Sequence, residues 1–196
     1  GCINNYHIGI LRLTPDGKVD TRYNAPGYTL IDFLSGSSYA YDVVLDSQGR
    51  SVVSGSYNAG GSNYDFVITR FNTDGTLDST FGTNGMTTGS FQAGVSDELL
   101  TLAIDSQDRI IAAGYTGNDV GVVRFTSAGV LDTTFNNTGK LIVDFGATGD
   151  FCRDLIIDSL DRILLIGETG PSGGHDLVAV RIIASGSLDP SFSSTG

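Results

Sequence analysis

The 196-residue sequence predicts an all-β fold built from repeated four-stranded units, and three observations lead to this prediction. Four segments share one pattern, in which Arg is followed by Gly five residues later, by Asp eight residues later and by an aromatic residue eleven residues later. The pattern returns at intervals of 58, 54 and 57 residues. Between the copies lie short apolar segments bounded by Gly, Asp, Asn and Ser, and none has the roughly 10–12 residues of Gly-free helical periodicity that a helix needs.

Each repeat is predicted to contain four strands of six or seven residues, which we call a, b, c and d in chain order. Several are continuously apolar, as expected for strands that are buried on both faces. The predicted strands are a at 28–33, 86–91 and 140–145, b at 40–46, 99–105 and 153–158, c at 50–56, 109–115 and 162–168, and d at 7–13, 65–71, 119–125 and 176–182.

Four strands per unit and a period near 56 residues favour a β-propeller, with residues 1–196 forming a single propeller segment. The predicted blades cover approximately 24–72, 82–126 and 136–183, with an orphan N-terminal strand at 6–13. A propeller needs about 4–8 blades to close, so three complete blades plus one extra outer strand form an incomplete ring. We therefore expect an excerpt of a longer propeller, or a protomer that other copies close.

The repeat also resembles a known family. The second copy, residues 64–117, carries the string F-x-x-x-R-x-N-x-D-G-x-L-D-x-x-F-G-x-x-G, followed later by D-x-x-D-R-I-x-x-x-G. This string resembles the bacterial delta-60 repeat, and the resemblance extends over essentially the whole chain. The first copy departs from it with Tyr23 and Pro26, and the third and fourth copies replace the N-x-D-G turn. The resemblance implies a β-propeller in secreted or surface proteins, and it implies no activity and no catalytic residues.

The repeated Arg and Asp are interpreted as structural ion pairs, because a guanidinium and a carboxylate can form two parallel hydrogen bonds that fix a loop. The alternative is a ring of Arg that binds an anion. The expected pairs are Arg12 with Asp20, Arg70 with Asp78, Arg124 with Asp132, and Arg181 with Asp189.

A calcium loop is the minor alternative for the second copy, where Asn72, Asp74 and Asp78 have the spacing of oxygen ligands. Calcium takes six to eight oxygens, several of them from carboxylates. Arg70 stands where the first carboxylate should be, so its guanidinium is expected to replace the ion. No metal and no cofactor are therefore predicted.

The connections between strands c and d hold most of the length variation, at 57–64, 116–119 and 169–176. Loops on a rigid scaffold often carry binding residues. The candidate contacts are Tyr57, Asn58, Asn63, Tyr64 and His175. The alternative is that these loops are plain Gly/Ser-rich linkers.

Charge limits the classes of partner. The chain has 11 Lys and Arg against 22 Asp and Glu, a net charge of −11, which disfavours nucleic acid and anionic membrane surfaces. No apolar run reaches the roughly 18 residues of a membrane span. The sequence therefore predicts a non-catalytic scaffold or binding module, extracellular or at the cell surface, with a protein or glycan partner. The alternatives are a self-assembling filament or ring subunit, and a glycan-active enzyme whose active site lies in blades outside this sequence.

Overall fold

A computed structural model describes residues 6–31, 36–58, 61–146, 149–171 and 174–193. The last two residues of the predicted strand 28–33 lie outside these ranges, as do parts of the predicted loops 57–64 and 169–176. Within the described residues, no helix has the length and apolar character needed to cross a membrane. The elements are β1 (Ile8–Leu11), α1 (Asn24–Gly27), β2 (Tyr28–Ile31), β3 (Ser38–Leu45), β4 (Ser51–Tyr57), β5 (Asp65–Phe71), β6 (Met86–Gly89), β7 (Asp97–Ile104), β8 (Ile110–Thr116), β9 (Asp119–Phe125), β10 (Lys140–Val143), β11 (Phe151–Ile157), β12 (Ile163–Thr169) and β13 (Asp176–Ile182).

The strands form four antiparallel sheets that follow one another along the chain. Sheet 1 is β1–β2, sheet 2 is β3–β4–β5–β6, sheet 3 is β7–β8–β9–β10, and sheet 4 is β11–β12–β13. The predicted class is confirmed, since the protein is all-β, has four-stranded antiparallel sheets, and is consistent with an incomplete β-propeller.

The boundaries of the sheets differ from the predicted blades 24–72, 82–126 and 136–183. Each a strand pairs with the d strand before it, so β2 pairs with β1, β6 with β5, and β10 with β9. Thirteen strands are present among the described residues, but they divide into sheets of two, four, four and three strands rather than three blades and an orphan strand 6–13.

The strands at the innermost position of the sheets show which strand begins a sheet. Strands β3, β7 and β11 lie next to one another, where Asp42 Oδ2 accepts a hydrogen bond from Leu102 N at 3.0 Å and Asp154 Oδ1 accepts one from Thr101 Oγ1 at 3.3 Å. Each complete sheet, that is sheet 2 or sheet 3, therefore begins at a b strand and ends at the outermost a strand. The sequence did not reveal this, because the order a, b, c, d repeats along the chain in the same way whichever strand begins a sheet.

The core lies between sheets rather than within one of them. At the junction of sheets 2 and 3, Val52 and Phe66 belong to the same buried cluster as Leu102 and Val123. A second cluster joins sheets 3 and 4. Because each central sheet is covered on both sides, its strands are apolar on both faces, which explains the continuous apolar runs.

Each innermost strand contains a β-bulge, where one residue is left without a partner on the next strand. The bulged residues are Tyr41, Leu100 and Arg153. Beside each bulge the neighbouring strand has a glycine, and at Gly114 a Cβ atom would lie 1.9 Å from the carbonyl oxygen of Glu98. The recurring glycine is thus required by the close approach of two backbones, and the bulge re-aims the side chains around it.

Candidate functional site

The two ends of the sheets have different chemistry. Because neighbouring strands are antiparallel, the β3–β4 and β5–β6 connections lie at one end and the β4–β5 and β6–β7 connections at the other. An ion pair between Arg50 Nη1 and Asp78 Oδ2, 3.3 Å apart, joins the first two connections. We call this end the motif face and the opposite end the loop face.

The motif face carries the repeated Arg and Asp, and the structure places each expected pair in contact. The Nε–Oδ2 distances are 3.1 Å for Arg12–Asp20, 2.8 Å for Arg70–Asp78, 2.8 Å for Arg124–Asp132 and 2.7 Å for Arg181–Asp189. Each guanidinium also lies 4.5–4.9 Å from the centre of the aromatic ring of its own repeat.

The same guanidinium reaches across to the next sheet. Arg12 Nη1 donates to the carbonyl oxygen of Thr73 at 2.7 Å, and Arg124 Nη1 donates to that of Ala184 at 2.5 Å. Arg70 makes the corresponding bond to Ser127. Three of the four repeated Arg side chains are thus used to hold neighbouring sheets together, which leaves them unsuited to an anion-binding ring.

The repeated Gly completes this junction. Gly129 has φ +78°, which favours glycine, and a Cβ atom there would lie 2.7 Å from the ring of Phe81 in the preceding sheet. Gly75 and Gly186 meet the rings of Tyr23 and Phe135 in the same way. We call this unit the latch: an Arg and an aromatic ring of one sheet, seated on a Gly-containing turn of the next.

Hydrogen bonding keeps the latch carboxylates ionised. Burial alone would raise the pKa of Asp132, but hydrogen bonds from Thr134 and the guanidinium of Arg124 outweigh it and lower that pKa. A hydrogen bond from Arg22 lowers the pKa of Asp20 to about 2.

The minor calcium alternative does not fit this geometry. Asp74 Oδ1 accepts hydrogen bonds from Thr76 N at 2.9 Å and from Thr76 Oγ1 at 2.6 Å. Asp78 Oδ2 binds the Arg70 guanidinium, and Asn72 Nδ2 donates to Thr76 Oγ1 at 3.0 Å. The two carboxylates are thus engaged by the chain itself, and the Arg70 guanidinium already supplies a cation.

The residues predicted for binding are spread over the loop face. The ring of Tyr64 lies 5.6 Å from that of Tyr39, and Tyr57 packs partly against the core. Asn58 Nδ2 donates to Gly61 O at 2.9 Å, which closes its own loop. The side chains of Asn63 and His175 are exposed. Of the five, only Tyr64 joins the aromatic cluster described next.

Sequence reasoning missed a group of side chains at the loop-face ends of the innermost strands. Tyr39 and Tyr41 lie with ring centres 6.4 Å apart and planes 18° apart. The Tyr41 hydroxyl donates a hydrogen bond to Glu98 Oε2. Burial and then the Glu98 carboxylate raise the pKa of both Tyr41 and Tyr115. The Glu98 carboxylate therefore interacts with two tyrosines from different sheets.

The group continues into sheet 4. The rings of Tyr115 and Phe151 lie 5.4 Å apart at 74°, and the Arg153 guanidinium lies 5.2 Å from the centre of the Phe151 ring. Arg153 Nε donates to Glu168 Oε1 at 3.0 Å, and this bond lowers the pKa of Glu168. We call the whole group the aromatic–acidic patch; it consists of Tyr39, Tyr41, Tyr64, Glu98, Tyr115, Phe151, Arg153 and Glu168.

A signal for this patch was present in the sequence. Glu98 and Glu168 are the only two glutamates of the chain, the other twenty acidic residues being aspartates, and both lie outside the repeated motif. Tyr41 and Arg153 occupy equivalent bulge positions with different side chains. The variation in loop length predicted binding residues in the c–d loops, whereas most residues of the patch lie in the strands beside those loops.

Three carboxylates also gather on the loop face, where oxygens of Asp119, Asp144 and Asp150 lie within 4.8 Å of one another. Burial, followed by the charges of the other two, raises the pKa of Asp119. Oxygen ligands of this kind suit hard cations. However, Asp150 already accepts hydrogen bonds from Phe145 N at 2.8 Å and from the Thr169 hydroxyl, so few donor atoms remain.

Comparisons with known proteins give a fold and no activity. No curated protein matches the chain. A solved structure, the bifunctional GH43-CE protein of Bacteroides eggerthii, is similar with a TM-score of 0.43 and 13% identity, over 79% of this chain and 19% of that one. A likeness at this level says nothing about activity. Residues 49–81 and 108–135 match the model of a β-propeller domain of unknown function (DUF5122), so the chain is similar to a β-propeller repeat family whose function is itself unknown.

Proposed function

We propose that this chain is a non-catalytic β-propeller scaffold whose loop face binds a glycan through the aromatic–acidic patch. One observation carries the proposal. The Arg, aromatic residue and Gly that recur in every repeat lie on the motif face, where three formed latches use them. Glu98, Arg153 and Glu168 have no counterparts in the other repeats and gather on the loop face. Binding residues are expected on those surfaces of a rigid scaffold whose side chains do not belong to the repeated structural motif.

The chemistry of the patch supports a glycan as the partner. Tyrosine rings provide flat apolar area together with a hydroxyl group, so one side chain can make apolar and polar contacts. Tyr41 is 41% exposed and stands between Tyr39 and the Glu98 carboxylate. Arg153 and Glu168 add charged hydrogen-bonding groups on the neighbouring sheet. A chain of hydroxyl groups with apolar faces fits this mixture, and a protein partner is the competing outcome.

The state of Glu168 supports binding rather than general-acid catalysis. A general acid at neutral pH needs a carboxyl group with a raised pKa. Arg153 instead lowers the pKa of Glu168. The extracellular or cell-surface setting follows from the resemblance to the delta-60 repeat and is part of the same proposal.

The test is a glycan microarray probed with the labelled chain, followed by titration of the glycans that bind. Tyr41→Ala is expected to weaken binding at least about tenfold, since aromatic residues dominate such contacts. Tyr28→Ala is the matched control, because Tyr28 is also exposed but lies on β2. Asn58→Ala and Asn63→Ala test the loop separately, because replacing the whole loop 57–64 would also remove Tyr64 of the patch. Unchanged glycan binding by Tyr41→Ala, or no glycan bound at all, contradicts the proposal.

A further inference from the structure

The two ends of the row of sheets carry unmatched halves of the latch. Three latches are formed in the described structure, between sheets 1 and 2, 2 and 3, and 3 and 4. Sheet 4 carries the forward half, with its own Arg and aromatic ring. Sheet 1 carries the receiving half, a Gly-containing turn.

The forward half is already assembled in sheet 4. Arg181 Nε donates to Asp189 Oδ2 at 2.7 Å, and its guanidinium lies 4.9 Å from the centre of the Phe192 ring. The geometry matches Arg124 above Phe135, also at 4.9 Å. The difference is exposure, because the Phe192 side chain is 40% exposed and Phe135 is completely buried.

The receiving half is equally well formed in sheet 1. In the turn at 14–18, Thr14 N donates to Lys18 O at 2.8 Å and Gly17 N donates to Thr14 O at 2.9 Å. The turn at 126–130 has the same two bonds at the same distances. Gly17 has φ +82°, close to the +78° of Gly129. Around a Cβ atom at Gly17, however, no heavy atom of the described chain lies within 4 Å, so the place of the ring is open.

The surfaces beside these two halves are apolar. Leu177 of sheet 4 is 95% exposed, although its equivalent Val120 in sheet 3 is buried. Leu13, at the end of sheet 1, is 54% exposed, although its equivalent Phe125 is buried at the junction of sheets 2 and 3. Each exposed side chain thus occupies a position that an adjoining sheet covers elsewhere in the molecule.

Sheet 1 has all the strands that a latch requires. In each formed latch, the receiving turn lies beside the d strand, at 72–76, 126–130 or 183–187. The turn at 14–18 follows β1, and β1 with β2 corresponds to the outer half of a complete sheet. The acceptor of the Arg Nη1 bond and the Gly that meets the ring both lie in the receiving turn in every formed latch.

We propose that two copies of this chain associate head to tail, with Arg181 and Phe192 of one copy seated on the turn 14–18 of the next. The two surfaces are different, so the contact is heterologous and can continue into a ring or an open row. This proposal does not depend on the glycan-binding proposal, because it uses the ends of the row of sheets rather than the loop face.

The test measures molar mass by sedimentation velocity and light scattering over a range of concentrations of the whole 196-residue chain. Moderate salt is included, because it screens the repulsion between copies with a net charge of −11. Leu177→Asp blocks the forward surface and Leu13→Asp blocks the receiving surface. Leu160→Asp is the matched control, because its equivalent Gln107 stays exposed in a sheet that is covered on both sides.

The molar mass of the wild-type chain is expected to rise with concentration, and that of Leu160→Asp is expected to rise in the same way. Each of the other two variants alone is expected to lose association at least about tenfold, because it would bury an unpaired carboxylate. Mixed in equal amounts, they should form a 1:1 complex and nothing larger, since one intact surface of each kind remains.

A wild-type chain that stays at one chain mass at every concentration overturns the proposal. So does association of the single variants to the wild-type extent, or a mixture that forms no complex. Circular dichroism confirms that each variant is folded, and if Leu177→Asp is not, Phe192→Ser replaces it with the same expected results.

Discussion

The latch makes a quantitative prediction about the glycine in its turn. In Gly129→Ala, the new methyl group would lie 2.7 Å from the buried ring of Phe81 at a backbone φ of +78°. The left-handed conformation costs an Ala about 1–2 kcal/mol relative to Gly, and an extra methyl in a packed site costs about 1–3 kcal/mol. We therefore expect the free energy of unfolding to fall by about 2–5 kcal/mol.

Two other glycines separate these contributions. Gly17 and Gly94 both have φ +82°, and no described atom lies within 4 Å of a Cβ atom at either position. Gly17→Ala and Gly94→Ala should therefore lose only the conformational part, about 1–2 kcal/mol. Urea unfolding followed by circular dichroism measures all three variants under the same conditions.

A smaller partner should relieve the clash. In a Phe81→Leu background the ring is gone, but the backbone nitrogen of Gly82 still lies 3.0 Å from the new methyl group. Gly129→Ala should therefore cost less than in the wild-type chain and more than at the open positions. The reasoning is refuted if Gly129→Ala, Gly17→Ala and Gly94→Ala lower the free energy of unfolding equally, within about 0.5 kcal/mol, the usual uncertainty of such comparisons.

Two further predictions concern the ion pairs of the latch. Arg124→Met should lower the free energy of unfolding, measured in urea, by about 3–5 kcal/mol, because it leaves the buried Asp132 carboxylate without its cation. The Arg12 side chain is 40% exposed, so Arg12→Met should lower it by about 1 kcal/mol or less. Equal losses for the two variants would contradict this account. Hydrogen bonds hold the pKa values of Asp20 and Asp189 at about 2, below the usual 3.8, so their contribution to stability is complete above about pH 4 and is lost as the pH falls toward 2. If the urea concentration at the unfolding midpoint stays the same as the pH is lowered from 4 to 2, these carboxylates contribute nothing to stability.

The sequence alone determined the strands, their repetition with a period of four and the chemistry of the turns. These features depend on neighbouring residues: apolar runs specify strands, and an Asp followed by Gly specifies the turn between them. The partners within each Arg–Asp pair are eight residues apart, so the repeat itself exposed the pairing of Arg70 with Asp78. The propeller class followed from the same regularity and is confirmed.

Only the tertiary structure decided where each sheet begins, what the latch joins, and which side chains meet on the loop face. Arg12 and Thr73 are far apart in the chain and come together because one sheet packs on the next. Tyr41 reaches Glu98 because bulged innermost strands lie side by side at the centre. Such contacts depend on how whole sheets stack and twist against each other, and no run of consecutive residues encodes them.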